Sequence, residues 1–165
     1  MATTILIAVP IMALLTVLQV AVLPQLPFLA VTPSFPFLFA MAWSLLNNVE
    51  EGMVWAFIGG LFMDIFTIAP AGGLAICYVL AVLAVSLIED FLPPNRLLVP
   101  LVLTALATAV QQLLYMVYLR LFGLTAAMSV SSFLQLVFWQ ALLVIPIYWA
   151  LYLIKRTLQP RPVQI

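Results

Sequence analysis

The sequence predicts an all-α polytopic membrane protein, and three observations support this prediction. Hydrophobic residues make up 67% of the 165 positions and charged residues only 6%, with a mean hydropathy of +1.31. A soluble domain averages about 45–50% apolar and about 25% charged residues, so this chain has too few polar residues to cover a water-facing surface. The apolar stretches are continuous and do not alternate with a period of two, which favours helices over a transmembrane β-barrel.

The chain has room for at most about six spans of about 20 residues, and the first two lie around a proline-rich break. Residues 3–23 form the first predicted span, which ends at Pro24 and Pro27 because proline interrupts helices. The N-terminus lacks a basic n-region, so we expect this span to be retained rather than removed as a signal peptide. The second predicted span, residues 34–47, is short and starts after Pro33.

Short links separate the remaining spans and predict that consecutive helices lie antiparallel and side by side. The link before the third span is rich in acidic and amide residues, and the link before the fourth contains Pro-Ala-Gly-Gly. The link before the fifth span contains Pro-Pro-Asn, and the link before the sixth starts with Gly. These spans are residues 51–68, 74–89, 97–122 and 132–158. No soluble domain remains, so we predict one integral membrane domain, residues 1–165.

The distribution of basic residues predicts the orientation. With six spans, both termini lie on one side of the membrane together with Lys155, Arg156, Arg161 and Arg96, whereas Arg120 lies near the other side. Cytoplasmic loops are enriched in Lys and Arg. We therefore expect both termini to be cytoplasmic.

Asp64 is the most informative single residue, because it is the only acidic residue inside a long apolar span. Insertion scales put Asp at roughly +2.5 to 3.5 kcal/mol at the centre of a membrane helix, and less near the surface. We therefore expect Asp64 to face protein, water or a partner rather than lipid.

A stripe of small residues leads to Asp64 along the third span. Gly52, Ala56, Gly60 and Asp64 recur every four residues and share one helical face, and Gly59 widens the stripe. Small residues at this spacing allow another backbone to approach closely, which favours helix association in lipid. Two interpretations remain open: a purely structural hydrogen bond to a neighbouring helix, or contact with a partner or ligand.

The glycine pair after the third span has two interpretations as well. Gly72 and Gly73 permit a left-handed turn into the fourth span. The alternative is a cradle of backbone N–H groups that binds an anion at the start of that helix.

Polar uncharged residues occur within the first, fifth and sixth spans. Interhelical hydrogen bonding is the simpler interpretation, and a polar cavity for a small solute is the alternative. These residues are Gln19, Thr104, Thr108, Gln111, Gln112, Gln135 and Gln140.

Several function classes lack the residues they require. The chain has no His and a single cysteine, Cys77, so a Ser-His pair, a His metal site and an intrachain disulfide are excluded. The formal net charge is zero, which gives no indication of nucleic-acid binding. The sequence therefore predicts no enzyme, no cofactor and no metal site.

Residues 59–64, with the sequence Gly-Gly-Leu-Phe-Met-Asp, are followed by Gly73 and Leu74 at the head of the next span. This pattern, in a chain of this length with six predicted spans, resembles the rod shape-determining MreD family. The acidic link before the third span differs from the basic link often found there in that family.

The resemblance implies a non-enzymatic component of the bacterial cell-elongation machinery in the cytoplasmic membrane. It implies a MreC-like single-span protein as partner and, indirectly, the actin-like MreB filament and a peptidoglycan glycosyltransferase and transpeptidase pair. A homodimer remains open. It also implies a fold similar to the substrate-binding subunits of energy-coupling-factor transporters.

The leading hypothesis is a membrane scaffold whose small-residue stripe receives a partner. The alternative hypothesis is a vitamin-type solute-binding subunit of a transporter, with its pocket lined by the Gln and Thr residues. The predicted partner-binding residues are Gly52, Ala56, Gly59, Gly60, Asp64, Gly72 and Gly73.

Overall fold

The structure is a computed structural model that describes residues 2–25, 31–89, 98–124 and 128–158. Within these ranges the chain forms six α-helices, one turn of 3-10 helix and no strand. The turn, Leu23–Gln25, directly follows the first helix. The helices are α1 (Ala2–Val22), α2 (Phe35–Leu46), α3 (Val49–Asp64), α4 (Gly73–Glu89), α5 (Leu98–Leu121) and α6 (Val130–Leu158).

Three of these helices are long and apolar enough to cross a membrane by length and composition: α1, α5 and α6. The other three are shorter, with 12, 16 and 17 residues in α2, α3 and α4. Exposed large apolar side chains occur on every helix except α2. The lipid-facing surface predicted from composition is therefore provided mainly by α1 and α3 to α6.

Helix α2 lies at the centre of the bundle and contacts each of the other five helices. Consecutive helices from α2 to α6 pack against one another, as their short links predict, and α1 packs mainly against α3. The main core combines small residues with a few large side chains from α1 to α5, and Phe37, Trp55 and Tyr78 are its largest fully buried members. A second core cluster joins α2 to α6 through Leu38 and Val144.

Side chains from neighbouring helices bond to one backbone group at each end of the short helix α2. Oε1 of Gln19 accepts a hydrogen bond of 2.9 Å from the backbone N–H of Phe35 at its start. At its end, Nζ of Lys155 donates to the carbonyl oxygen of Leu46. The first N–H and last C=O groups of a helix lack partners within the helix, and in lipid they cannot turn to water instead. The contacts from α1 and α6 therefore stabilise a helix too short to place both ends in water.

The third helix ends earlier than the sequence predicts. The predicted span, residues 51–68, extends four residues beyond the observed end at Asp64, because Ile65–Ile68 is as apolar as the helix before it. Instead the chain turns, and the backbone N–H and the hydroxyl of Thr67 both bond to the carbonyl oxygen of Asp64. The other five predicted spans agree with the observed helices to within two residues at each end.

Some sequence-based predictions fall outside the described ranges. Arg96 and Arg161, which contribute to the predicted orientation, both do so, as do the link at 90–97 and the tail at 159–165. Lys155 and Arg156 lie in the last turn of α6, and Arg120 lies in the last turn of α5.

Candidate functional site

Asp64 is the last residue of α3, and its side chain caps the start of α4. Its side chain is buried, with 4% exposure. Its Oδ1 accepts a hydrogen bond of 3.0 Å from the N–H of Leu74, and its Oδ2 accepts bonds of 2.9 and 3.3 Å from the N–H groups of Gly72 and Ala75. The carboxylate therefore acts as the N-cap of α4, although it belongs to the preceding helix.

This arrangement explains how the chain accommodates a carboxylate near the membrane. Hydrogen bonds to a charged acceptor are roughly twice as strong as neutral ones, and the positive end of the α4 dipole adds a favourable interaction. The prediction that Asp64 avoids lipid is confirmed by its burial. Its hydrogen bonds match the first of the two interpretations above, a bond to a neighbouring helix.

The α3–α4 link has the left-handed turn that its glycine pair predicts. Gly72 has a φ of +96°, and an added Cβ would find no atom within 4 Å. The N–H groups that follow do bind an anion, as in the alternative interpretation, but that anion is the carboxylate of Asp64. The hydroxyl of Tyr118 on α5 donates a 2.9 Å hydrogen bond to the carbonyl oxygen of Pro70 and holds the link from the other side.

Two glycines allow α3 and α4 to pack closely against their neighbours in this region. A Cβ on Gly60 would lie 2.6 Å from the backbone nitrogen of Ala75, so the backbones of α3 and α4 are in contact there. A Cβ on Gly73 would lie 2.5 Å from Cζ of Tyr118. A side chain at Gly60 would force the two helices apart, and one at Gly73 would force the ring of Tyr118 to shift.

The rest of the small-residue stripe is also buried within the chain. A Cβ on Gly52 would lie 2.6 Å from Oγ of Ser44 on α2. A Cβ on Gly59 would lie 3.1 Å from Sδ of Met12 and from Cβ of Pro36. Ala56 is fully buried. The stripe therefore packs α3 against α1, α2 and α4, and contact with a partner stays a prediction.

Sequence reasoning missed the role of the bulkier residues beside the stripe. Trp55 is fully buried, and its ring lies 4.7 Å from that of Trp43 and 5.0 Å from that of Phe39, between centroids. Oε2 of Glu51 accepts a 2.9 Å hydrogen bond from Nε1 of Trp43. A tryptophan close to an acidic residue at the end of a span was the available signal, because a buried indole N–H usually bonds to a partner.

One pair of polar side chains, Thr108 on α5 and Gln140 on α6, makes a contact between the two helices. The hydroxyl of Thr108 lies 2.7 Å from Oε1 of Gln140 and also donates to the backbone carbonyl of Thr104. Gln111 is buried as well, whereas Gln112 is half-buried and Gln135 is exposed. These contacts support the interpretation as interhelical hydrogen bonds.

Within the described residues, no group of three or more Cys, Asp and Glu side chains lies close enough together to hold a metal ion. Cys77 is a buried free thiol on α4.

One family model matches the chain, and the match covers residues 1–158. That family is described as rod shape-determining protein MreD. No curated protein and no solved structure is significantly similar to the chain.

Proposed function

This chain belongs to the MreD family of rod shape-determining proteins, and we propose that it is a non-enzymatic scaffold of the cell-elongation machinery. In this proposal the protein binds a MreC-like single-span protein. Through that protein it is linked to the actin-like MreB filament and to a peptidoglycan glycosyltransferase and transpeptidase pair. The observation that carries the proposal is the family match, which covers all six observed helices.

The contacts inside the bundle support a structural role. The buried carboxylate of Asp64 is used by backbone N–H groups of α4, and the hydroxyl of Thr108 bonds to Gln140. Polar groups that already form hydrogen bonds between helices are not available to bind a solute or to catalyse a reaction. The transporter-subunit hypothesis required the Gln and Thr side chains to line a pocket, so these contacts favour the scaffold.

We propose that the predicted partner-binding residues act by fixing the outer surface that α3 and α4 present. Gly60 and Asp64 set the distance and the register between the two helices. Phe57 on α3 and Ile76 on α4 are exposed on that outer surface. Direct contact of a partner is most accessible at Gly72, beside which the structure leaves open space. The full set is Gly52, Ala56, Gly59, Gly60, Asp64, Gly72 and Gly73.

We further propose that residues 1–165 form one multi-pass domain of the bacterial cytoplasmic membrane, with six spans and both termini cytoplasmic. Helices α2 to α4 are short, but the ends of α2 and the start of α4 are capped by side chains from other helices. The basic residues of the last turn of α6 support the orientation. The proposed fold is similar to that of the substrate-binding subunits of energy-coupling-factor transporters.

Reporter fusions test this topology. We expect alkaline phosphatase fused after Gly123 to be active, because the α5–α6 link is then outside the cytoplasm. A fluorescent protein fused after Ile165 should be fluorescent, because it folds in the cytoplasm. Fusions after Asn48 and Ala71 serve as matched internal controls and should give the cytoplasmic and external result, respectively. An inactive phosphatase after Gly123 together with a non-fluorescent protein after Ile165 would contradict the orientation.

Co-purification tests the proposed partner. The full-length chain, tagged and co-expressed with the MreC-like protein of the same genome, is expected to recover that protein in stoichiometric yield from mild detergent. Cells that lack this chain should become round, and expression of the chain should restore rods. An unrelated single-span membrane protein expressed to the same level is the control. Absence of recovery together with normal cell shape in the deletion strain would defeat the proposal.

A further inference from the structure

An apolar groove lies on the outer surface of the bundle between α1, α3 and α4. Its volume is about 610 Å³, its wall is almost entirely apolar, and Glu50 is the one charged residue among those that line it. The lining residues are Ile5, Glu50, Met53, Val54, Phe57, Ile58 and Val79. The groove follows the first two turns of α3, from Glu50 to Ile58, over about 12 Å.

Glu50 also lines a second depression, at the end of the bundle where α3 begins. This cleft has a volume of about 420 Å³ and a mainly polar wall that includes Asn47, Asn48 and Glu89. The apolar groove and the polar cleft therefore meet at Glu50. Along the axis of α3 this surface changes from apolar to acidic. A transmembrane helix of a partner has a matching order, with an apolar span followed by polar residues at the membrane edge.

The two adjacent acidic residues of α3 differ in their contacts. The carboxylate of Glu51 accepts a hydrogen bond from Trp43, so it is used inside the bundle. Glu50 is exposed and, among the residues that the structure describes, has neither a hydrogen bond nor an ion pair from its side chain. Its charge is therefore available at the boundary between the groove and the cleft.

We propose that this groove receives a transmembrane helix of the partner, with a Lys or Arg at the partner's membrane edge placed against Glu50. This inference rests on the proposed function, because it names the surface through which the scaffold holds its single-span partner. Apolar side chains of the partner pack between Val54, Phe57 and Ile58, where the thioether of Met53 adapts to their shape. The cation pairs with a carboxylate that has no side-chain partner among the described residues.

Charge distinguishes this occupant from an anionic lipid. Anionic lipids give the cytoplasmic leaflet a negative surface potential, and an acidic residue at the rim of the groove repels their head groups. The same residue attracts a basic side chain of a helix.

Two variants and two matched controls test the groove in the full-length chain, co-expressed with the MreC-like protein of the same genome. Val54→Trp fills the groove, and Leu142→Trp adds the same side chain at an exposed position of α6. Glu50→Lys reverses the charge, and Thr157→Lys adds the same charge at the exposed end of α6, on the same end of the bundle. Thermal unfolding of each purified variant shows that it is folded.

We expect Val54→Trp and Glu50→Lys each to lower partner recovery at least tenfold, while the two controls recover the wild-type amount. Changing the Lys or Arg at the partner's membrane edge to Glu should restore recovery with Glu50→Lys. Wild-type recovery by both folded groove variants would overturn the inference while leaving the proposed function intact. Failure of the wild-type chain to recover the partner would instead defeat the proposed function.

Two further outcomes would overturn the groove as a helix site. One is a partner span with no Lys or Arg at its membrane edge. The other is a phospholipid that native mass spectrometry detects on the wild-type protein and that Val54→Trp displaces while partner recovery is unchanged.

Discussion

Gly60→Ala is expected to reduce the free energy of unfolding by about 1–3 kcal/mol, the range found when a well-packed core is overfilled. The added Cβ would lie 2.6 Å from the backbone nitrogen of Ala75, and a backbone atom cannot move aside as a side chain can. Helices α3 and α4 must therefore separate. Gly60→Leu is expected to prevent stable folding. Chemical denaturation in detergent micelles, followed by tryptophan fluorescence, measures the effect.

Gly59→Ala is the matched control, because it makes the same substitution one residue earlier in the same helix. Both substitutions gain the same helix propensity, roughly 0.5–1 kcal/mol. At Gly59, however, the new Cβ meets the flexible side chain of Met12 and the ring of Pro36 at 3.1 Å. We expect Gly59→Ala to be much less destabilising. Equal stabilities of the two variants would show that the α3–α4 approach is looser than described.

Asp64→Ala is expected to destabilise the protein by about 2–4 kcal/mol, since it removes an N-cap and leaves buried N–H groups without acceptors. The groups affected are the backbone N–H groups of Gly72, Leu74 and Ala75. Loss of the cap should also loosen the α3–α4 link. The same denaturation experiment measures the stability, and hydrogen exchange at Leu74 and Ala75 measures the local opening.

Asp64→Asn separates the charge from the shape. The amide keeps an acceptor for Leu74 but replaces Oδ2, which serves Gly72 and Ala75, with a donor. We therefore expect a loss between zero and that of Asp64→Ala. If Asp64→Ala unfolds at the wild-type denaturant concentration and partner recovery falls, the carboxylate contacts the partner and not α4, which would contradict the capping role.

Much of the helical architecture could be predicted because hydropathy and helix breakers act locally. Pro24, Pro33 and the Gly72–Gly73 pair mark boundaries that agree with the observed helices to within about two residues. The end of α3 could not be predicted in this way. Ile65 to Ile68 is apolar enough to continue the helix, and what ends it is a contact between Asp64 and residues eight to eleven positions later.

The stripe on α3 shows a second limit of sequence reasoning. Spacing alone indicates that Gly52 and Gly60 lie on a closely packed face, and the structure confirms close packing at both. Spacing does not indicate which backbone occupies that face. The occupants are Ser44 on α2 and Ala75 on α4, and this depends on how the whole bundle is arranged.

The polar positions of α5 illustrate the same point at finer scale. A four-residue spacing groups Thr104 and Thr108 with Gln112, but the structure buries Gln111 with the two threonines. Positions seven and eight residues apart both lie near one face of a helix, so a small rotation of α5 decides between them. The packing of α5 against α4 and α6 sets that rotation.

In the proposed six-span topology, the short helices α3 and α4 have a consequence for the bilayer around the protein. Their 16 and 17 residues extend over about 24–26 Å, less than the hydrocarbon thickness of about 30 Å, whereas the 24 residues of α5 extend over about 36 Å. Such hydrophobic mismatch costs fractions of a kcal/mol per Å and is relieved when lipid tails compress locally. We therefore expect a thinner annulus of lipid on the α3–α4 side, where a neighbouring protein that covers this edge would release the elastic strain of the membrane.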